Sequence, residues 1–216
     1  MGKKAREDRR RAAREASTSG RRPPFGRRRI VWLAGGAAAL TVVVGVLASL
    51  TALGIIAASG SGSGQVPAGT AVFTESNHQH VTGAVQYDRT PPAGGAHNAV
   101  WLNCGVYASP VPAVNAVHSL EHGAVWITYR PDLSAGALSQ LRQFVESHYD
   151  GAQRYIVLSP YGGLPSPIVA SAWGAQLQVT SASDPRLAAF VAHYQGGPQG
   201  GEPGGECTGG TGTPIA

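Results

Sequence analysis

The sequence predicts an α+β fold, a small mixed or antiparallel sheet with helices packed on one face, following one amino-terminal transmembrane helix. Three observations point to it: an uncharged apolar run at 30–58, sharp changes of hydrophobic period after residue 123, and an order of strand, helix, strand, strand, helix.

The run Ile30 to Ala58 holds 29 residues without a charge, against the roughly 20 that cross a ~30 Å hydrocarbon core. A cleavable secretory signal is the rival, suggested by small residues near Ser59, but its apolar region holds only about 7 to 15 residues. The anchor is therefore preferred. Residues 1–29 carry twelve Lys or Arg against Glu7, Asp8 and Glu15. Positive residues stay on the cytoplasmic side, which puts the amino terminus inside and the rest of the chain outside the cell membrane. The basic stretch has too few large apolar groups to repay ordering and is expected to be disordered.

The net charge of +5 and the pI of about 9.6 belong to this tail. From residue 59 onward only Arg89, Arg130, Arg142, Arg154 and Arg186 face nine acids, a balance of −4. A mildly acidic outer part excludes a nucleic-acid partner. Membrane lipid is the expected partner of the anchor, with a further envelope protein left open.

Residues 59–65 contain SGSGSG, a flexible linker. Residues 66–195 are long enough for one hydrophobic core. Residues 196–216 are Gly/Pro-rich and read as extended, poorly packed chain.

Within the domain, 66–115 is rich in Pro, Gly and His and predicts loops with short strands. Ala124 to Tyr129 (AVWITY) is a β-branched and aromatic strand. Asp132 or Ser134 caps the next helix, where Leu138, Leu141, Phe144, Val145 and Tyr149 share a face before Gly151 stops it. Arg154 to Ser159 is a second strand. Ile168 to Val179 reads as one longer strand with a bulge or bend at Gly174. Asp184 followed by Pro185 starts a last helix, with Leu187, Phe190, Val191 and Tyr194 as its buried stripe.

Two cysteines occur, Cys104 and Cys207, both on the oxidising side of the membrane. A disulfide tying the tail to the domain is the economical reading, with up to ~4.7 kcal/mol of stabilisation for a loop of about a hundred residues. Two free thiols are the alternative.

All seven histidines follow the apolar run. His148 and His193 lie near helix carboxyl ends, where an imidazole satisfies terminal carbonyls. His118 and His122 in HSLEHG stand four apart, on one side of a helix, and on one side of a strand too because the spacing is even. The string also imitates the inverted zinc-protease motif, making Glu121 a weak candidate for a general base. Pro112 before and Gly123 after leave it short of helix, and no third ligand is announced downstream. Hydrogen bonds from both rings to backbone carbonyls are the bland alternative. Ser119 lacks the surroundings of a nucleophile. Trp101, Trp126 and Trp173 read as core anchors.

The runs YDRTPPAGGAHNAVWLNCGVY and AVHSLEHGAVWITYRPDL resemble the actinobacterial membrane-anchored family named for domain of unknown function 3105. The likeness covers roughly residues 75–208 and includes His80, Tyr87, Pro91, Pro92, Gly95, His97, Cys104, Tyr107, His118, Glu121, His122, Gly123 and Cys207. Gly94, where serine is common, is a small departure. The resemblance implies no activity, but it puts His80, His97, His118 and His122 on the pattern and leaves His78, His148 and His193 off it.

Four neutral imidazoles beside a carboxylate suit a borderline ion, copper or zinc. The expectation is a single-pass envelope protein whose outer domain binds that metal through His97, His118 and His122, with His80 as fourth ligand. A scaffolding module whose histidines only fix loops is the alternative, and a zinc-dependent hydrolase is the weaker third.

Overall fold

The computed structural model describes residues 65–216. The basic tail, the 30–58 run and all but the last residue of the 59–65 linker lie outside the described residues. Among those described, no helix is long and apolar enough to cross a membrane.

Six strands form one mixed sheet, consistent with the expected α+β class. They are β1 (Ala71–Val72), β2 (Gly105–Val106), β3 (Val125–Tyr129), β4 (Ile156–Pro160), β5 (Ile168–Ala172) and β6 (Ala175–Val179), in the spatial order β1-β6-β5-β3-β4-β2. The β2–β4 and β3–β4 pairs are parallel; β3–β5, β5–β6 and β1–β6 are antiparallel. Three helices complete the fold: α1 (Ala113–Glu121), α2 (Ala135–Ser147) and α3 (Pro185–Tyr194).

The helices occupy both faces of the sheet, which corrects the one-face expectation. Val125, Ile127, Ile156 and Leu158 point into one core with Leu141 and Val145 of α2 and Leu187, Phe190 and Val191 of α3. Trp126 and Val157, one residue out of phase, point into a second core with Ala116, Val117 and Leu120 of α1. Every residue of β3 and β4 is buried. Strands apolar on both faces need cover on both, and that pattern cannot be told from a single buried face by period alone.

The 168–179 segment is two strands, not one. The chain reverses at Trp173–Gly174, where Gly174 has φ +70° and a Cβ would lie 2.8 Å from the Phe73 carbonyl oxygen. A continuous apolar run hides such a turn, because its composition does not change across the bend.

Ser134 accepts a hydrogen bond from the Ala137 N–H at the start of α2, and Asp184 accepts one from the Arg186 N–H ahead of α3, so both expected caps are in place. The 196–216 tail is packed rather than loose. Cys104 and Cys207 form a disulfide and both are buried. Beyond it, the Ile215 N–H donates to the Val106 carbonyl and the Val106 N–H to the Ala216 carbonyl, so the carboxyl end lies along β2.

Candidate metal centre

Helix α1 begins after Pro112, which has no N–H to orphan, and ends at Gly123, where φ is +97°. His118, Glu121 and the C-cap residue His122 fall at three- and four-residue steps and so project to the same side. Ser119 points elsewhere. Its hydroxyl donates to the Leu102 carbonyl (2.7 Å) and accepts from the Leu102 N–H (3.0 Å), a structural clamp in a fully buried position.

His97 arrives from a loop and is fully buried. Gly94 has φ +135°, and a Cβ there would come 2.5 Å from Glu75 Cγ, so a side chain at this turn is strained and would displace Glu75. The Tyr87 hydroxyl fastens this loop by donating to the Ala96 carbonyl (2.8 Å); burial pushes its pKa up to about 12, which keeps it a donor. A parallel bridge then sets His80 beside His97, with the Val81 N–H donating to the His97 carbonyl and the His97 N–H to the Gln79 carbonyl.

Three rings are oriented in one manner. Nδ1 of His97 bonds the Gly95 carbonyl (2.8 Å), Nδ1 of His118 the Asn98 carbonyl (2.7 Å), and Nδ1 of His122 the Glu206 carbonyl (2.6 Å). A carbonyl only accepts, so each Nδ1 carries the proton and each Nε2 of the neutral ring presents a lone pair. Backbone carbonyls holding Nδ1 while Nε2 converges inward is how metal-binding histidines are oriented. The bland expectation, rings bonded to carbonyls, accounts for one nitrogen of each ring and not for the other.

Those lone pairs face other acceptors. Nε2 of His97 lies 2.8 Å from Glu121 Oε2, yet neither atom has a hydrogen-bond partner, although both are buried. The contact lacks hydrogen-bond geometry, and with the ring proton on Nδ1 it sets two electron-rich atoms against each other. Nε2 of His118 and Nε2 of His122 stand 2.9 Å apart in hydrogen-bonding geometry, a contact that needs a second proton on one of the two rings. Buried acceptors that confront each other are unfavourable unless a proton or a metal ion sits among them. Donors about 2.0–2.1 Å from one tetrahedral zinc ion stand roughly 3.3–3.4 Å apart, so these pairs would open by about half an ångström to admit it.

Two groups of donors result. His80, His97, His118 and Glu121 form one, with ligand atoms all within 4.8 Å of one another, and His118, His122 and Glu202 form the second. Either could hold a metal ion. The first is the inner group, in which only His80 is exposed; the second opens to solvent through Glu202, whose side chain is 56% exposed. His118 has its pKa lowered, first by burial and then by the neighbouring His122, His97 and His80, against a raising effect of the Asn98 carbonyl. That resistance to protonation leaves its lone pair ready for a metal.

The buried Glu121 carboxylate has no Lys or Arg partner among the described residues. It faces His78 (Nδ1 to Oε1, 2.5 Å), His97, and more distantly His80 (Nε2 to Oε2, 3.8 Å). A buried carboxylate costs several kcal/mol unless a positive charge compensates it. Glu121 sits among the donor atoms themselves, so the geometry gives no support to its role as a general base beside a metal.

The structure brings His80, His97, His118 and His122 together. It also brings His78, which sequence reasoning passed over; its ring stacks on Trp173 (4.5 Å between centroids) while its Nδ1 meets Glu121. Trp126 is a core anchor as expected, with its indole N–H on Ser159. Trp173 is likewise part of the second core and also borders the histidines, 5.7 Å from His97, whereas Trp101 is only half-buried and lies 5.2 Å from His122. His148 bonds the Phe144 carbonyl at the end of α2, and neither it nor His193 joins the donor groups.

The model of a family described as protein of unknown function (DUF3105) matches residues 78–209. The chain belongs to that family. The DUF3105 segment opens at His78 and includes every donor of both groups together with the disulfide. No match is found among curated proteins or among solved structures. Glu202 and His78 were the site residues hardest to foresee: Glu202 stands in a glycine-rich run without periodicity, and His78, outside both donor groups, is placed by its stacking on Trp173.

Proposed function

We propose that this is a single-pass cell-envelope protein whose outer domain binds a transition-metal ion, copper or zinc, at the inner group of His80, His97, His118 and Glu121, with His122 adjoining. One observation carries it: two buried polar atoms, His97 Nε2 and Glu121 Oε2, face each other at 2.8 Å with no hydrogen bond. Three imidazoles and a carboxylate are borderline donors that suit Cu(II) or Zn(II). Cys104 and Cys207 are paired, and the sole methionine is Met1, so soft sulfur donors for Cu(I) are lacking among the described residues. The anchor rests on the 30–58 run, and the outward orientation on the basic residues before it.

The test is metal titration of the full chain in detergent micelles, stripped beforehand with chelator. An ion that binds only the folded state stabilises it by RT ln(1 + [L]/Kd), about 2.7 kcal/mol at a hundredfold excess over Kd. For a domain of this size that is a rise of about 5–10 °C in Tm. The rise is expected with Cu(II) or Zn(II) and should vanish in His97→Ala and His118→Ala. A rise that survives both substitutions removes the proposed centre and leaves the scaffolding alternative, in which the histidines share protons and fix loops.

A further inference from the structure

We infer that the ion reaches the inner centre by way of an outer docking site, where His122 and Glu202 take it first and His118 hands it inward. This rests on the metal function proposed above and adds a route to it.

The route follows from the membership of His118 in both donor groups. Its Nδ1 is committed to the Asn98 carbonyl, so the ring has one lone pair, on Nε2, and that lone pair serves one ion at a time. The two groups therefore cannot both be filled. They are successive positions of one ion, linked by exchange of ligands around a shared nitrogen that lies 2.9 Å from His122 Nε2. No electron or proton has to move in that exchange; His122 and Glu202 leave the ion as His97 and Glu121 join it.

Exposure sets the order. Glu202 is 56% exposed, with Oε2 3.4 Å from His122 Nε2, whereas Glu121 is 3% and His97 0% exposed. A hydrated cation meets the outer carboxylate before it can meet the buried one. Direction follows from the donors: the inner group offers three imidazoles and a desolvated carboxylate, whose attraction for a cation is stronger away from water.

The tail is shaped to hold this outer site in place. The Glu202 N–H donates to the Glu121 carbonyl, and the Glu206 carbonyl orients His122. A Cβ at Gly200 would lie 2.2 Å from the Glu121 carbonyl oxygen, and one at Gly205 2.6 Å from the His122 ring, so glycines let the tail lie directly on the end of α1. The rival way in is the side of His80, which is also exposed.

Stopped-flow mixing of chelator-stripped full chain in micelles with Cu(II) separates the two routes, read by quenching of the tryptophans beside the donors. Glu202→Gln is expected to slow loading by about tenfold or more, in the range that a steering charge and its ligand contribute, while the final ion content equals that of the wild type. Glu146→Gln, which removes the same charge from α2, is expected to load at the wild-type rate. Unchanged loading in Glu202→Gln overturns the route and assigns admission to the His80 side. Equal slowing in both variants overturns it as well, since bulk charge would suffice, and a lost ion at equilibrium would make Glu202 a ligand of the resting centre. The metal function itself is judged apart from this: a wild type that retains no ion removes both, whereas retention abolished by His97→Ala upholds the centre whatever the loading rates.

Discussion

Single residues of α1 have divided tasks, and the division shows in what each ring or hydroxyl touches. Ser119 closes two hydrogen bonds on Leu102, so Ser119→Ala strips the buried Leu102 carbonyl of its hydroxyl donor, while the Leu102 N–H keeps the Asn115 carbonyl. A loss of about 1–3 kcal/mol in denaturant unfolding is expected, with metal retention preserved. Glu121→Gln keeps the shape but removes the buried charge; weaker ion binding and an apo-protein no less stable than wild type are expected, because the uncompensated carboxylate is a burden without metal. Denaturant curves with and without Zn(II) check both. At this scale the sequence was informative for His118 and His122, whose spacing aligns them in helix or strand alike. It was mute for His78, because a stacking partner 95 residues away, Trp173, decides where that ring points.

Among the elements, the disulfide and the tail govern the outer half of the site. Cys104→Ser with Cys207→Ser should cost about 2–5 kcal/mol in thermal unfolding. The same pair should slow Cu(II) loading, since the Glu206 carbonyl that orients His122 is adjacent to Cys207. Helix α3 offers a control remote from the metal. Asp184→Ala removes the cap and should lower the Tm, with unchanged ion content. The hydrogen bonds from Arg186 hold the Asp184 carboxyl below its usual pKa, so its contribution is present above the ordinary carboxylate pKa and is lost as pH falls through the lower folded value. Caps, stripes and most strands were legible because each depends on neighbours within a turn or two. The Trp173–Gly174 reversal and the two-sided sheet were not, since uniform apolar runs carry no mark of direction or of which layer covers them. Glycine richness in the tail looked like looseness, and it is close packing against Glu121 and His122.

Across the whole molecule, the sheet supplies a rigid floor and the charge of the centre sets the response to pH. His118 is held neutral by burial and by neighbouring imidazoles, with the Asn98 carbonyl opposing. Its unfolded counterpart titrates near 6.5, so above that pH it contributes no pH dependence. Below it the unfolded chain takes up the proton first, and the apo-protein loses stability as pH falls toward the lower folded pKa. Thermal unfolding of metal-free protein between pH 7.5 and 5 is expected to show that decline, and His118→Gln should reduce it. Bound metal should be released over the same interval, because protons compete for the same nitrogens.

The central claim is that imidazoles from three separate segments of the chain share one ion with a buried carboxylate. X-ray absorption at the metal edge of the loaded full chain tests it most directly. Nitrogen or oxygen neighbours at about 2.0–2.1 Å, with the outer scattering of two or three imidazole rings and no sulfur, are expected. An ion surrounded by water-like oxygens alone, or the same spectrum from His97→Ala, would contradict it.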